Sequence, residues 1–429
     1  MDKLIVTGGK PLKGEVTVSG GKNAVLPVIA ATILADNICE INSVPHLSDV
    51  DTINEILLSL GAKVEFKEDV LTIDPRSINT HVAPYEYIQK MRAGILVLGP
   101  LLAKKGQAQV SAPGGCKIGA RPIDLHIKGL RALGAEIEIN EDNITANLNG
   151  RFKGNKIYLD FPSVGATEQI MMAAAMAEGT TIIENVAEEP EIVDLANFLN
   201  HLGANIRGAG TNMIKIEGVE HLGKQMVRHT IIPDRIEAGS YMIAAAVCGG
   251  NVLLKNVIAD HIKPVIAKLQ EAGAEVIDED GNLRVIGPKK LKAADIKTLP
   301  YPGFPTDMQS PFMSLMSIAD GECHITETIF ENRLMHAEQL NKMGADITIE
   351  GNVAKVKGVP KLHGAKVMAT DLRAGAGLII AGLAAEGQTE IYGVHHIDRG
   401  YENLLEKFTS LGAQIRRQEI TQEEYNEVE

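Results

Sequence analysis

Apolar and polar positions along this 429-residue chain follow one pattern that returns six times. Each copy carries a short signature: Leu-Gly-Ala at Gly61, Gly134, Gly203 and Gly412, Ala-Gly-Ala at Gly273 and Met-Gly-Ala at Gly344. The intervals are 73, 69, 70, 71 and 68 residues. So regular a period over the whole chain marks a repeat architecture. Ahead of each glycine the apolar residues recur at helical spacing, as in Ile192, Leu195, Ala196, Leu199 and Leu202. Behind it they alternate, as in Val64/Phe66, Ile137/Ile139 and Ile347/Ile349. The glycine therefore closes a helix in the left-handed conformation, and a strand follows.

A second kind of helix lies upstream in each copy, over residues 24–35, 94–103, 167–177, 238–248, 308–319 and 374–385. These segments are apolar nearly all round, so they are expected to be buried on every side. Strands follow them, for example over 180–185, 252–256 and 390–392. Most copies end in a hairpin with a terminal glycine, such as Ile214-Lys-Ile-Glu-Gly218, Leu283-Arg-Val-Ile-Gly287 and Ala354-Lys-Val-Lys-Gly358. The chain's own start, Leu4-Ile-Val-Thr-Gly8, has the same form, and the sixth copy lacks such an ending. The pattern predicts an α/β (α+β) chain of six units in two lobes of three. One lobe covers residues 22–230. The other covers 1–21 and 231–429, with the N-terminal hairpin completing the sixth unit. Two chain crossings, near Lys22 and Ile231, predict a hinge over a cleft.

Composition narrows the function. Apolar residues make up 45% and charged residues 23%, an ordinary globular balance. A net charge of −13 argues against nucleic acid or an anionic membrane as partner. Apolar runs are too short to span a bilayer, and the N-terminus lacks a signal-peptide layout. Four scattered cysteines fit a reducing cytoplasm.

Equivalent positions of the repeat carry the candidate chemistry. Polar residues stand just before each buried helix: Lys22-Asn23, Arg92, Ser163-Val164-Gly165, Asp234-Arg235, Asp307 and Asp371/Arg373. A second ring follows the next strand: Cys116 to Arg121, Glu188-Glu189, Glu331/Arg333 and Asp398/Arg399. Helix N-termini with added Lys and Arg favour anions, so phosphate and carboxylate ligands are expected. Cys116 lies in Pro113-Gly-Gly-Cys-Lys-Ile-Gly-Ala-Arg-Pro-Ile-Asp-Leu-His126, too rich in Gly and Pro for a helix or a central strand. Lys117 and Arg121 beside it stabilise a thiolate, which makes it the candidate reactive thiol. Cys39, Cys248 and Cys323 sit in apolar or strand-like runs and read as small hydrophobes. No zinc spacing and no phosphate-loop signature occur.

These motifs resemble those of the UDP-N-acetylglucosamine enolpyruvyl transferases. The resemblance covers the chain and includes Gly21-Lys-Asn-Ala-Val-Leu-Pro27, Pro113-Gly-Gly-Cys116, Ile118-Gly-Ala-Arg-Pro122, Ser163-Val-Gly-Ala-Thr167, Phe304-Pro-Thr-Asp-Met-Gln309, Phe330-Glu-Asn-Arg333, Thr370-Asp-Leu-Arg373 and Asp398-Arg-Gly-Tyr401. It implies a two-lobed inside-out α/β barrel of six βαβαββ-like units, helices inside and sheets outside. It implies transfer of the enolpyruvyl group of phosphoenolpyruvate to a sugar nucleotide by addition and elimination, without metal or organic cofactor, in bacterial peptidoglycan synthesis. Cys116 then resembles the proton donor, Asp307 the base, and Lys22, Asn23, Arg121 and Arg399 the phosphoenolpyruvate site. Asn23, Arg92, Arg121, Pro122, Ile123, Asp124, Leu125, Ser163, Val164, Gly165, Asp307 and Ile329 resemble the UDP-N-acetylglucosamine surface. Glu189, Glu331, Arg333, Asp371 and Arg373 resemble supporting residues. Phe161-Pro162 departs from the Lys-Val of some relatives. The alternatives are the shikimate-pathway transferase, which shares fold and donor, and a non-catalytic repeat scaffold.

Overall fold

The computed structural model describes residues 1–112, 123–140, 143–426 and 428. They form two compact units with separate hydrophobic cores. One holds the described residues between 20 and 232, the other residues 1–19 and those from 233 onward. The first unit contains copies one to three, the second copies four to six.

In each unit three inner helices pack together, and three small sheets cover them. The inner helices of copies one to three are Lys22–Ala31, Leu98–Lys105 (led by the 3-10 segment Arg92–Val97) and Val164–Ala174. Those of copies four to six are Arg235–Val247, Gln309–Met316 (led by Thr306–Met308) and Leu372–Ala384. Each begins two or three residues ahead of its apolar run. In three of the six, side-chain caps hold the first turn. Asp234 Oδ1 accepts from the N–H groups of Ile236 and Glu237 (2.8 and 3.0 Å), and Asp371 Oδ1 from those of Arg373 and Ala374 (2.8 and 3.1 Å). Ser163 Oγ accepts from Ala166 N–H at 3.3 Å. Such caps satisfy helix donors that have no partner within the helix.

The six signature glycines end the outer helices with φ between 90° and 104°. That left-handed conformation strains any residue with a Cβ. The hairpin glycines answer a different need. A Cβ on Gly358 would stand 1.6 Å from the Ala319 carbonyl oxygen, and one on Gly218 1.9 Å from that of Ala177. Gly8 meets Ala385 in the same way, at 2.2 Å. In all three the glycine at the strand's end lies directly against the end of an inner helix.

Sheet order corrects one expectation. The two N-terminal strands do not pair with each other. Asp2–Thr7 lies antiparallel between Gln388–Tyr392 and Gln414–Glu419, with Leu4 opposite Ile391 and Arg417. Lys13–Thr17 instead runs parallel to Asn251–Lys255, in the sheet of the fourth copy. Val227–Thr230 takes the equivalent edge beside Cys39–Asn42 in the first copy. Hydrophobic patterning shows that a strand exists; the partner depends on where the chain goes next. Among the described residues no helix is long and apolar enough to cross a membrane.

Candidate active site

In the second unit the N-terminal turns of the inner helices come together around Asp307. Asp307 lies in the 3-10 turn Thr306–Met308. Its Oδ1 accepts from Arg333 Nη2 at 2.9 Å and its Oδ2 from Arg373 Nη2 at 3.1 Å. Both arginines are buried, while the Asp307 side chain keeps 24% of its surface exposed. Two charge-assisted bonds from different elements fix the carboxylate plane. Arg373 opens the helix Leu372–Ala384 and lies over the Tyr401 ring, 5.6 Å from its centroid. The Tyr401 hydroxyl shares a hydrogen bond with Ser240 Oγ (2.8 Å) on the helix Arg235–Val247. Burial works against the charge of Arg373, but Asp307, Tyr401 and Asp234 outweigh it and raise its pKa.

Arg333 is held from below. His336 Nδ1 donates to its carbonyl at 3.1 Å, and the Phe330 ring lies 5.2 Å from its guanidinium. Burial lowers His336 to about 4 against the pull of Asp371, so the ring is neutral. Ile329 is half-buried, and its N–H donates to Glu327. Glu331 is exposed. Arg399 is half-buried, and the neighbouring Asp398 gives both oxygens to Arg417 (3.0 and 2.9 Å).

In the first unit Lys22 opens its inner helix, and its Nζ lies 3.0 Å from Oδ2 of the buried Asp49. Asn23 follows, half-buried, and Arg92 opens the 3-10 segment of the second copy. Ser163 caps the third inner helix, which opens with the half-buried Val164 and Gly165, by accepting from Ala166 N–H. His126, on the helix Asp124–Ala132, packs against this turn: a Cβ on Gly165 would come within 2.9 Å of its Cε1. Burial first, and the Arg92 cation second, push His126 down to about 3. Ile123 and Leu125 flank the same helix start half-buried, and Asp124 is exposed. Glu189 precedes the helix Pro190–His201. Burial, then the charges of Glu191 and Glu189, push the Glu168 carboxyl well above its usual range.

Cys116, Lys117, Arg121 and Pro122 lie outside the described residues. Burial pushes the other three thiols, Cys39, Cys248 and Cys323, up to about 12. Sequence reasoning passed over Glu327 and His336. The signal for Glu327 is comparative, a Glu where two sister copies have Asn185 and Asn256.

Inner helices opening on charged and capping residues, with three sheets around them, form an α/β architecture seen in solved enolpyruvyl transferases. The enolpyruvyl transferase NikO from Streptomyces tendae superposes with a TM-score of 0.89 at 24% identity, over 98% of this chain and 99% of that one. The family model of EPSP synthase (3-phosphoshikimate 1-carboxyvinyltransferase) matches residues 6–408. The chain belongs to this carboxyvinyl transferase family. Within it, the chain is similar to two proteins named UDP-N-acetylglucosamine 1-carboxyvinyltransferase 1. The one from Caldanaerobacter subterraneus subsp. tengcongensis is 56% identical over 97% of this chain and 99% of its own length. The one from Halalkalibacterium halodurans is 55% identical over 99% and 96%.

Proposed function

We infer that this chain transfers the enolpyruvyl group of phosphoenolpyruvate to the 3′-hydroxyl of UDP-N-acetylglucosamine and releases phosphate. The observation that carries this reading is identity of 55–56%, over nearly the whole chain, to proteins named for that reaction. The enzyme acts in the cytoplasm at the first committed step of peptidoglycan synthesis.

The chemistry assigns a task to each residue type. Adding an alcohol across an enol double bond needs a proton delivered to the methylene carbon and one removed from the hydroxyl. Cys116 delivers the first. Asp307 receives the second, its carboxylate held by Arg333 and Arg373 so that proton transfer requires no reorientation. The hydroxyl oxygen bonds to C2, giving a tetrahedral adduct. Loss of the methyl proton and the phosphate then restores the double bond. Lys22, Asn23, Arg121 and Arg399 hold the phosphate and carboxylate of the donor, whose charge needs fixed cations. Arg92, Pro122, Ile123, Asp124, Leu125, Ser163, Val164, Gly165 and Ile329 contact the sugar nucleotide. Glu189, Glu331 and Asp371 support these groups.

An inorganic-phosphate assay tests the reading. Phosphate should appear with phosphoenolpyruvate and UDP-N-acetylglucosamine, and not when shikimate 3-phosphate is the acceptor. The reverse result would move the chain to the shikimate-type transferases.

A further inference from the structure

We propose that Glu327 is a positioning residue that sets Asp307 and the Ile329 backbone for reaction; this rests on the reading of those two residues given above. Glu327 follows the strand Glu322–Thr326 and is only 2% exposed. Asn352 anchors its backbone on both sides: Glu327 N–H donates to the Asn352 carbonyl and Asn352 Nδ2 to the Glu327 carbonyl, each at 2.9 Å. The carboxylate then links two functional segments. Its Oε1 accepts from Thr298 Oγ1 (2.8 Å), Ile329 N–H (2.8 Å) and Phe330 N–H (3.2 Å). Its Oε2 accepts from Thr306 Oγ1 at 2.9 Å. Thr306 directly precedes Asp307, and its hydroxyl accepts from Arg333 Nη1 at 3.4 Å. The other nitrogen of that guanidinium, Nη2, holds Asp307. An ionised carboxylate only accepts, so the Thr306 proton is committed to Glu327 and its lone pairs face Arg333. One buried charge thus orients Thr306, Arg333 and the loop at Ile329 together.

The third and fourth copies show what the position does when it serves the fold alone. The equivalent residues are Asn185 and Asn256, both in the left-handed conformation. Asn185 Nδ2 donates to the Leu159 carbonyl (2.7 Å), and Asn256 Nδ2 to the Val18 carbonyl (2.8 Å), where the parallel edge strand ends. In the fifth copy the corresponding carbonyl is that of Thr298, and Thr328 Oγ1 donates to it at 2.5 Å. Thr328 has taken over the structural bond. Glu327 is thereby released to face Thr306, in the same copy that carries Asp307.

Glu327→Gln keeps the size and removes the charge, so one of the four donors loses its acceptor. In a folded variant kcat for phosphate release should fall about tenfold to a hundredfold. KM for UDP-N-acetylglucosamine should rise through Ile329, while KM for phosphoenolpyruvate stays near wild type. Thr306→Val should reproduce the loss of kcat, Thr306→Ser should retain most of the activity, and Glu327→Gln combined with Thr306→Val should be no worse than the worse single variant. Wild-type kcat and KM in Glu327→Gln overturn the proposal, as do equal losses in Thr306→Val and Thr306→Ser. If Glu327→Gln does not fold, the two Thr306 variants decide. Activity that merely tracks melting temperature across the set makes Glu327 structural and also overturns it. No phosphate from wild type with UDP-N-acetylglucosamine overturns the underlying reading, and this assignment with it. Active wild type with unchanged variants overturns the assignment alone.

Discussion

At the scale of single residues, Asp307 is defined by what holds it. Two buried guanidiniums share its oxygens, so removing the carboxylate and removing its basicity are different experiments. Asp307→Asn keeps an acceptor but cannot take up the hydroxyl proton. Phosphate release should fall about a hundredfold to ten-thousandfold, and the melting temperature should also fall, though less than in Asp307→Ala, because the amide oxygen keeps one acceptor for the arginines. Asp307→Ala should lose activity and also about 3–5 kcal/mol of stability, because Arg333 and Arg373 then lack their counter-charge. A folded Asp307→Asn enzyme keeping a tenth of the rate would remove Asp307 from the mechanism. The thiols separate in a similar way. Cys39, Cys248 and Cys323 are pushed to about 12 by burial and stay protonated at neutral pH. The epoxide phosphonate fosfomycin should therefore alkylate Cys116, the thiol placed among cations in the sequence. Peptide mass mapping reads the site directly, and label on any other cysteine contradicts the proposed role of Cys116.

At the scale of elements, two kinds of glycine punctuate the repeat and should respond differently to a methyl group. Gly203 ends an outer helix at φ 102° with open space around its missing Cβ. Gly203→Ala should cost only the backbone strain, about 1 kcal/mol. Gly358 closes its hairpin on the inner helix, where a Cβ would stand 1.6 Å from the Ala319 carbonyl oxygen. Neither backbone can yield without opening the sheet, so Gly358→Ala should cost about 3 kcal/mol or more. Urea unfolding midpoints of the two variants measure the difference. Comparable losses would mean that the hairpin slides more freely than its geometry indicates.

At the scale of the whole molecule, each unit contains a histidine kept neutral by burial: His126 at about 3 and His336 at about 4. Both values lie below that of an unfolded histidine, near 6.5. Below that pH the unfolded chain binds protons that the folded chain refuses. The stability they contribute is thus complete above about pH 6.5 and is lost as pH falls through the folded values. Melting temperature should drop steadily from about pH 6.5 to pH 4. His336→Gln should flatten part of the slope, and an unchanged slope would locate the acid sensitivity in other groups.

The sequence alone determined the repeat, the fold class and the places where polar first turns open the inner helices. Each of these is written in local periodicity, which reports how a segment meets its own surroundings. Even there the apolar pattern placed the inner-helix starts two or three residues late, and at three of them a side-chain cap, such as Asp234 or Asp371, accounts for the extra turn. Tertiary structure alone decided the partners. Arg333 and Arg373 reach Asp307 from 26 and 66 residues away, and Lys13–Thr17 pairs with a strand of the fourth copy. It alone turned Glu327, one glutamate among many in the sequence, into the buried acceptor beneath Thr306. A hydrogen bond depends on the distance and direction between two groups, and for residues far apart in the chain only the fold supplies both.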